Sequence, residues 1–292
     1  MKKTEARRLA ITLGVLILAA LFAWAGSSDT VEWSGVPLYA VVVAAAFIVQ
    51  WLVYIPSQIF HTERFFDLTG SLTYSLITLG VLAANEDRGV RATVLGVLVI
   101  VWAVRLGSFM FIRISKDKSD SRFDEIKKSP MRFFNVWTIQ GLWITVTASA
   151  AWIAISSNNQ SKPDVLFYVG ICIWVVGFAF EVIADAQKRR FRARTDKTEP
   201  FITSGLWAWS QHPNYFGEVA MWTGIALVAL GNLSGWQLIG LMSPVFVYVL
   251  LTKVSGIPTL EAKAETKWGD DPAYQAYKAR TSILFPMPPR RK

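Results

Sequence analysis

The amino-acid sequence predicts an all-α membrane protein, a polytopic helix bundle of about eight spans with seven as the alternative. One observation is composition: 53% of the 292 residues are hydrophobic and 17% are charged, whereas roughly 25% of residues in soluble domains are charged. A second observation is that the apolar residues form long runs separated by short polar segments. A helix needs roughly 20 apolar residues to cross the hydrocarbon core. The third observation is the uneven distribution of lysine and arginine along the chain.

Each apolar run is predicted to be a helix, because backbone amides in lipid must form hydrogen bonds within their own segment. The runs are 9–25, 36–60, 68–84, 90–112, 135–155, 164–184, 216–230 and 236–254. The run 216–230 is the shortest, and without it seven spans remain. The first run follows basic residues, as in a cleavable signal peptide. We expect it to be retained as a span, since the later spans already target the chain to the membrane.

The lysines and arginines indicate the orientation of the helices. Twenty-six of the 30 lie at the N-terminus, in alternate loops or in the C-terminal tail, and three lie in the other loops. Cytoplasmic flanks of spans are enriched in these residues, so we expect both termini in the cytoplasm and a multi-pass protein of the inner (plasma) membrane. Topology therefore accounts for the net charge of +9, and no nucleic-acid partner is expected. One cysteine and two histidines also argue against a metal site.

Charged side chains inside spans are costly and are usually functional. Arg105 lies deep in the fourth run, and Glu181 and Asp185 share one helix face at the end of the sixth. One interpretation is structural, in which Arg105 pairs with a carboxylate to hold helices together. The other is a polar cavity that opens to the cytoplasm.

A basic run follows directly after Asp185. Lys188 and Arg192 are four residues apart, so they face the same way and form a cationic site of phosphate size. A positively charged membrane anchor would also explain the charge of this run, but it leaves the preceding acidic pair unexplained.

The segment 205–218 is the densest in polar and aromatic residues. The side chains that could bind a ligand or take part in a reaction are Trp207, His212, Asn214, Tyr215 and Glu218. An aromatic belt at the membrane interface is the alternative interpretation, and it gives no reason for the polar members to cluster. Asn214 and Glu218 are one helical turn apart and project into the same space.

Two further segments complete the candidate set. Apolar and aromatic residues between 255 and 277 predict an amphipathic segment at the membrane interface, which could close a cavity from below. Asp67 and Tyr74 lie on one face at the start of the third run, although an ordinary helix N-cap would also account for Asp67.

The block Gly205-Leu206-Trp207 to His212-Pro213-Asn214-Tyr215-Phe216-Gly217-Glu218 resembles the integral membrane reductases of the steroid 5-alpha-reductase C-terminal type, and specifically their bacterial branch. The pair Glu181 and Asp185 with its basic run, and the segment 254–258 with Glu261, support the resemblance. It covers about 67–288, which leaves N-terminal spans in 1–66 and a basic tail in 289–292. A cytoplasm-facing NADPH site and a lipid-like substrate are what the resemblance implies.

The resemblance also implies roles for individual residues. The implied cofactor-binding residues are Arg105, Arg122, Glu181, Asp185, Lys188, Arg192, Trp207, His212, Asn214, Tyr215, Glu218 and Glu261. This sequence departs from the family at Trp102, where the animal steroid reductases have tyrosine, and at Gln211, where arginine is usual. The family's catalytic Gln-Glu pair has no clean match.

The function expected from these features is NADPH-dependent reduction of a carbonyl-conjugated carbon-carbon double bond in a steroid-like or isoprenoid lipid. Asp67 and Tyr74 are the candidate catalytic acids, because a phenol or carboxyl in a dry site can donate to a developing oxyanion. Two alternatives remain. One is an S-adenosylmethionine-dependent methyltransferase resembling the isoprenylcysteine carboxyl group, and the other is a non-catalytic lipid-binding membrane protein.

Overall fold

The computed structural model describes residues 3–116, 123–195 and 199–289. The helices in this part of the chain are α1 (Lys3–Gly26), α2 (Leu38–Ile59), α3 (Phe66–Ala84), α4 (Val90–Lys116), α5 (Pro130–Ser156), α6 (Val165–Arg192), α7 (Pro213–Leu230), α8 (Met242–Val249), α9 (Gly256–Trp268) and α10 (Pro272–Arg280). A short hairpin of β1 (Glu32–Trp33) and β2 (Val36–Pro37) connects α1 and α2. The prediction of an all-α membrane helix bundle is confirmed.

Seven segments of the described chain are long and apolar enough to cross a membrane. They are Glu5–Gly26, Leu38–Ile59, Phe66–Ala84, Val90–Ile112, Pro130–Ser156, Val165–Arg192 and Gly235–Trp268. The run 216–230, predicted as the shortest span, forms α7 but is not among the seven. Its first turns carry Asn214 and Glu218, which lower its hydropathy.

The last of the seven segments is less regular than predicted. The run 236–254 forms a 3₁₀ turn over Gly235–Leu241, then α8, and then a π-helical turn over Leu250–Val254. Single π turns in α-helices occur often at functional sites.

The chain divides into two compact units. The first comprises 1–168 and 225–243, and the second comprises 169–224 and 244–292. Each unit is described by itself below.

Helix α5 is the centre of the first unit. In its most apolar stretch of 18 residues, 83% is buried, compared with 28–44% in the corresponding stretches of the other candidate spans. Polar side chains connect it to its neighbours: the Trp152 indole donates to the Thr78 hydroxyl at 2.9 Å. Likewise the Gln50 amide donates to the Thr73 hydroxyl between α2 and α3 at 2.9 Å. Such bonds hold helices together in lipid, where no hydrophobic force brings them into contact.

A buried arginine fixes the start of α4 in the same unit. Arg91 is fully buried, donates to the carbonyls of Val228 at 2.7 Å and Lys162 at 2.8 Å, and lies 3.3 Å from an Asp164 carboxylate oxygen. Its charge therefore has a structural explanation.

In the second unit, α6 and α7 approach each other backbone to backbone through glycines. A Cβ atom on Gly217 would lie 2.5 Å from the Gly177 carbonyl oxygen, and one on Gly224 would lie 2.5 Å from that of Gly170. Small residues permit such close packing in membrane helices, and here they align the two helices that carry the candidate site.

Candidate functional site

Helix α6 carries the acidic pair and the basic run on one continuous helix. It extends beyond the predicted boundary at 184 to Arg192, and Arg189, Arg190 and Arg192 occupy its last turn. Cationic side chains at this position are favourable because the helix dipole places partial negative charge there. Lys188 and Arg192 line the same cavity, as their spacing predicted, whereas Arg189 and Arg190 are exposed and lie outside its lining.

The chain between α6 and α7 holds Trp207 against α6. A 3₁₀ turn over Gly205–Ala208 begins with Gly205 at φ +64°, a left-handed conformation that favours glycine. The Gln187 side-chain oxygen accepts from the Leu206 amide at 3.0 Å, and the Trp207 indole donates to the Ala184 carbonyl at 3.1 Å. The Lys188 ammonium then lies 4.5 Å from the centre of a Trp207 ring, within the range of a cation–π interaction.

His212 lies buried at the N-terminal end of α7. Its ring stacks on Tyr215 with the centres 5.6 Å apart, and its backbone amide donates to the Ser210 hydroxyl at 3.0 Å. Burial, and secondarily the positive charge of Lys188, lowers the pKa of His212 to about 4. The imidazole is therefore neutral at physiological pH and can offer a ligand one donor and one acceptor.

The C-terminal segment after α10 runs beside the residues that precede α7. Gln211 N donates to the Ser282 carbonyl at 2.8 Å, and Met287 N donates to the Trp209 carbonyl at 3.1 Å. The Ser210 hydroxyl donates to the Leu284 carbonyl at 2.8 Å. This short parallel pairing fixes the loop that carries His212.

An aromatic cluster from α9, α10 and the loop before α7 closes the cavity. The Phe201 ring lies 5.3–5.8 Å from those of Trp268, Tyr274 and Tyr277. The Tyr277 hydroxyl donates to the Trp207 carbonyl at 2.7 Å, and burial raises the Tyr277 pKa above its usual value. The amphipathic C-terminal segment thus contributes a wall of the cavity.

The resulting cavity has a volume of about 400 Å³. Its lining comprises Lys188, Phe191, Arg192, Pro200, Phe201, Ile202, Trp207, Gln211, His212, Leu260, Glu261, Lys263, Ala264, Lys267, Trp268, Tyr274 and Tyr277. Cations, flat aromatic rings and one carboxylate suit a ligand that has both phosphate groups and planar rings.

Five of the predicted cofactor-binding residues line this cavity: Lys188, Arg192, Trp207, His212 and Glu261. Tyr215 is in contact with one of them through its ring. Glu181, which is buried, and the half-buried Asp185, Asn214 and Glu218 lie on α6 and α7 but not in the lining.

The remaining predicted residues lie elsewhere. Arg105, Asp67 and Tyr74 belong to the first unit, and Arg122 lies outside the described residues. Tyr74 is buried with its ring 5.1 Å from that of Trp102 and 6.1 Å from that of Trp152.

The alternative explanation of Asp67 as an N-cap is wrong. Helix α3 begins at Phe66 with Phe65 in the capping position, so Asp67 is the second helical residue. Arg105 is half-buried on α4.

Gln211, the departure from the family pattern, has a structural role. Its side-chain amide donates to the carbonyls of Thr281 at 2.8 Å and Lys278 at 3.3 Å. These bonds attach the His212 loop to the end of α10.

Sequence reasoning did not identify the closing residues Phe201, Lys263, Lys267 and Tyr274 as part of the site. The available signal was the group of aromatic residues at 268, 274 and 277, which was interpreted as facing the membrane interface. No group of three or more His, Cys, Asp or Glu side chains in the described ranges is arranged to hold a metal ion.

Comparison with known proteins gives distant relatives. An uncharacterised protein of Schizosaccharomyces pombe is 22% identical over 247 residues, which are 74% of this chain and 68% of that protein. The 3-oxo-5-alpha-steroid 4-dehydrogenase 1 of Rattus norvegicus is 27% identical over 122 residues (41% of each chain). That of Bos taurus is 28% identical over 125 residues, 42% of this chain and 43% of the dehydrogenase. No solved structure matches the chain.

The match to the two dehydrogenases therefore spans about two fifths of their own length, and similarity to them is distant. A family match covers much more of the chain, from residue 50 to residue 281. The protein belongs to the family described as "Protein of unknown function (DUF1295)".

Proposed function

We propose that the protein is a membrane-embedded NADPH-dependent reductase that saturates a carbonyl-conjugated carbon-carbon double bond in a steroid-like or isoprenoid lipid. The observation that carries the proposal is that Lys188 and Arg192 line one cavity together with Trp207 and His212. The distant similarity to steroid dehydrogenases supports reductase chemistry, and the membrane spans are consistent with a lipid-like substrate.

The cavity residues are of the types that bind the phosphates and rings of NADPH, which supports the proposal. A volume of about 400 Å³ is within the range of roughly 300–1,000 Å³ for small-molecule sites. Lys188 and Arg192 can bind phosphate oxygens, and a guanidinium does so through two parallel hydrogen bonds. Aromatic faces such as Phe201 and Trp207 can stack on a ring, and Glu261 can accept from ribose or amide groups.

When bound, NADPH would supply hydride to the carbon beta to the substrate carbonyl. The protein residues would bind, orient and protonate. Lys188 and Arg192 would hold the phosphates, and neutral His212 would offer hydrogen bonds without adding charge. Asp67 and Tyr74 are the proposed acids that polarise the carbonyl oxygen and complete the product with a proton. Seven further residues are also proposed to contribute to cofactor binding. They are Arg105, Arg122, Glu181, Asp185, Asn214, Tyr215 and Glu218.

The proposal also includes the location of the protein and the side of the membrane on which the cofactor cavity lies. The resemblance to the bacterial branch of the C-terminal-type reductases and the distribution of Lys and Arg support an inner-membrane protein with the cofactor cavity on the cytoplasmic side.

Ligand binding by the purified protein in detergent tests the cofactor. We expect NADPH to raise the melting temperature more than NADH or S-adenosylmethionine does, since only NADPH carries the additional 2'-phosphate. Arg192→Ala should weaken NADPH binding about tenfold or more, because a hydrogen bond to a charged group contributes about 1.5–3 kcal/mol.

Arg190→Ala is the matched control, because Arg190 lies on the same helix turn but outside the cavity lining. It should leave NADPH affinity unchanged. A larger melting shift with S-adenosylmethionine would instead support the methyltransferase. Equal losses for both variants, or equal losses of NADPH and NADH in Arg192→Ala, would refute the role of Arg192.

Turnover with a 3-oxo-4-ene steroid as the probe tests the acids. We expect Tyr74→Phe or Asp67→Asn to slow NADPH oxidation at least about 100-fold, the usual contribution of a positioned acid. NADPH-induced stabilisation should persist in both variants.

Tyr54→Phe is the control for the phenol, because the Tyr54 hydroxyl donates to the Pro130 carbonyl outside any proposed site. Unchanged turnover in both acid variants would remove Asp67 and Tyr74 from the mechanism. NADPH binding without turnover of any enone lipid would favour the non-catalytic lipid-binding alternative.

A further inference from the structure

A separate cavity in the first unit lies between the start of α1 and the start of α5. It has a volume of about 400 Å³ and is lined by Arg7, Arg8, Ile11, Ile126, Arg132, Asn135, Val136 and Ile139. Three of the lining residues are arginines, and none of those described is acidic. The proposed reductase chemistry does not use this cavity.

Arg8 is positioned by a polar network. An Arg8 guanidinium nitrogen donates to the Ser129 hydroxyl at 2.8 Å, and the Arg8 carbonyl accepts from the Asn135 amide at 2.9 Å. The Thr12 hydroxyl donates to the Asn135 oxygen at 2.5 Å. These bonds join α1 to α5 at this point. A guanidinium has five N–H donors, so the bond to Ser129 fixes Arg8 while other donors can still bind an anion.

The nearby acid Glu125 offsets only part of the charge of the cavity, since it is shared between Lys128 and Arg132. The Glu125 carboxylate accepts from Lys128, and its backbone carbonyl accepts from Arg132 at 3.3 Å. Arg7 and Arg132 are exposed to the surroundings. An incoming anion would therefore meet three arginines and no acidic side chain among the described lining residues.

Apart from the arginines and Asn135, the wall is apolar, and two of its side chains face outward. Ile11 is 41% exposed and Ile139 is 40% exposed, on the two helices that carry the arginines. Both helices are long and apolar enough to span a membrane, where these side chains would meet lipid acyl chains. A basic pocket with an apolar wall at the ends of spans is suited to an anionic lipid headgroup.

We propose that this cavity binds an anionic membrane phospholipid, with the phosphate held by Arg7, Arg8 and Arg132 and an acyl chain against Ile11 and Ile139. A soluble phosphate compound would use the arginines but not the isoleucines, and a zwitterionic lipid would bring its own positive charge to an already positive site. The lipid would bridge α1 and α5 and stabilise their contact.

Thermal unfolding of the delipidated full-length protein tests the proposal, with phosphatidylglycerol, phosphatidylcholine and glycerol 3-phosphate added separately. We expect phosphatidylglycerol to stabilise the protein and the other two to have little effect. The triple variant Arg7→Gln, Arg8→Gln, Arg132→Gln should bind phosphatidylglycerol about 100-fold more weakly, because each basic residue near a lipid surface contributes about 1 kcal/mol, or about fivefold in affinity.

The matched control removes the same charge outside the cavity. It is the triple variant Arg64→Gln, Arg189→Gln, Arg190→Gln, whose residues are all exposed and absent from the lining. It should keep its response to phosphatidylglycerol. An equal loss in the two triple variants would reduce the effect to general electrostatic attraction, and an equal response to glycerol 3-phosphate would show that no lipid chain is recognised. Either result overturns the proposal.

Should the triple variant fail to fold, the single variant Arg7→Gln takes its place. Arg7 is exposed, and its loss should weaken phosphatidylglycerol binding about fivefold. No loss in that variant would contradict the proposal.

Discussion

Individual side chains of the proposed cofactor cavity are held in place by hydrogen bonds to the backbone of the protein. The Trp207 indole is bonded to the Ala184 carbonyl, and the Trp207 carbonyl accepts from the Tyr277 hydroxyl. Bonds of this kind fix rotamers before a ligand arrives, which lowers the entropy lost on binding. The cavity is therefore pre-organised around Trp207.

The histidine of the site should make stability depend on pH. Burial and the Lys188 charge lower the pKa of His212 to about 4, from about 6.5 in an unfolded chain. Between these values the unfolded chain binds more protons than the folded one, so the free energy of unfolding falls as the pH falls from 6.5 towards 4. The slope is at most about 1.4 kcal/mol per pH unit. We expect His212→Asn to have a flatter profile of melting temperature against pH in this range.

The other histidine provides the control. His61 is exposed and has φ +49°, a conformation that asparagine tolerates, so His61→Asn should keep the wild-type slope. If the wild-type slope persisted in His212→Asn, the acid sensitivity would have another origin.

Spacing along the sequence predicted that two of the candidate site residues face the same way. Lys188 and Arg192 meet in one cavity because residues four apart share a helix face. Phe201 and Tyr274 could not be predicted as neighbours, since their contact depends on how the chain after α9 turns back. The roles assigned to Asp185, Asn214 and Arg105 came from family resemblance and are still predictions.

At the scale of helices, hydrophobicity predicted the seven segments that can span a membrane, but it also gave 216–230 as an eighth and did not show where the helices end. The run predicted to end at 184 continues as α6 to Arg192, because a helix that leaves the lipid can continue with basic residues in its last turn. The 3₁₀ and π turns around α8 carry no signal in the apolar pattern, since an apolar run has the same composition in all three helix types.

The close contact of α6 and α7 should tolerate no added side chain. A Cβ atom on Gly217 would lie 2.5 Å from the Gly177 carbonyl oxygen and 2.7 Å from the Glu181 amide nitrogen, both of which are backbone atoms. We expect Gly217→Ala to reduce the free energy of unfolding by about 1–3 kcal/mol, as overpacking does, measured by chemical unfolding in detergent.

Gly80 on α3 is the comparison, because a Cβ atom there would meet nothing within 4 Å. Gly80→Ala should be neutral or stabilise the helix by about 0.5–1 kcal/mol. A Gly217→Ala variant as stable as Gly80→Ala would contradict the close packing of α6 on α7.

At the scale of the whole molecule, the described chain is a helix bundle with seven segments able to span a membrane and α7 as a shorter helix. Its sidedness stays a prediction from the distribution of Lys and Arg. With α7 as an eighth span, both termini lie on the same side of the membrane.

Labelling of single cysteines in intact cells tests this orientation, in a Cys172→Ser background. We expect Asn159→Cys to react with a membrane-impermeant maleimide added outside and Ala276→Cys to be protected. Both residues are exposed, so burial does not explain a difference. The opposite pattern would invert the predicted topology and place the cofactor cavity on the outer side.

The hydrogen bonds between the residues after α10 and the loop before α7 can form only after α10 has been synthesised. Ser282, Leu284 and Met287 are among the last described residues to leave the ribosome, and each is bonded to a residue between 209 and 211. The proposed cofactor cavity acquires its full wall only after α10 has been synthesised, so a coenzyme bound there could not assist the insertion of the early helices. A stop codon after α10 would thus remove support from His212 while leaving every apolar helix intact.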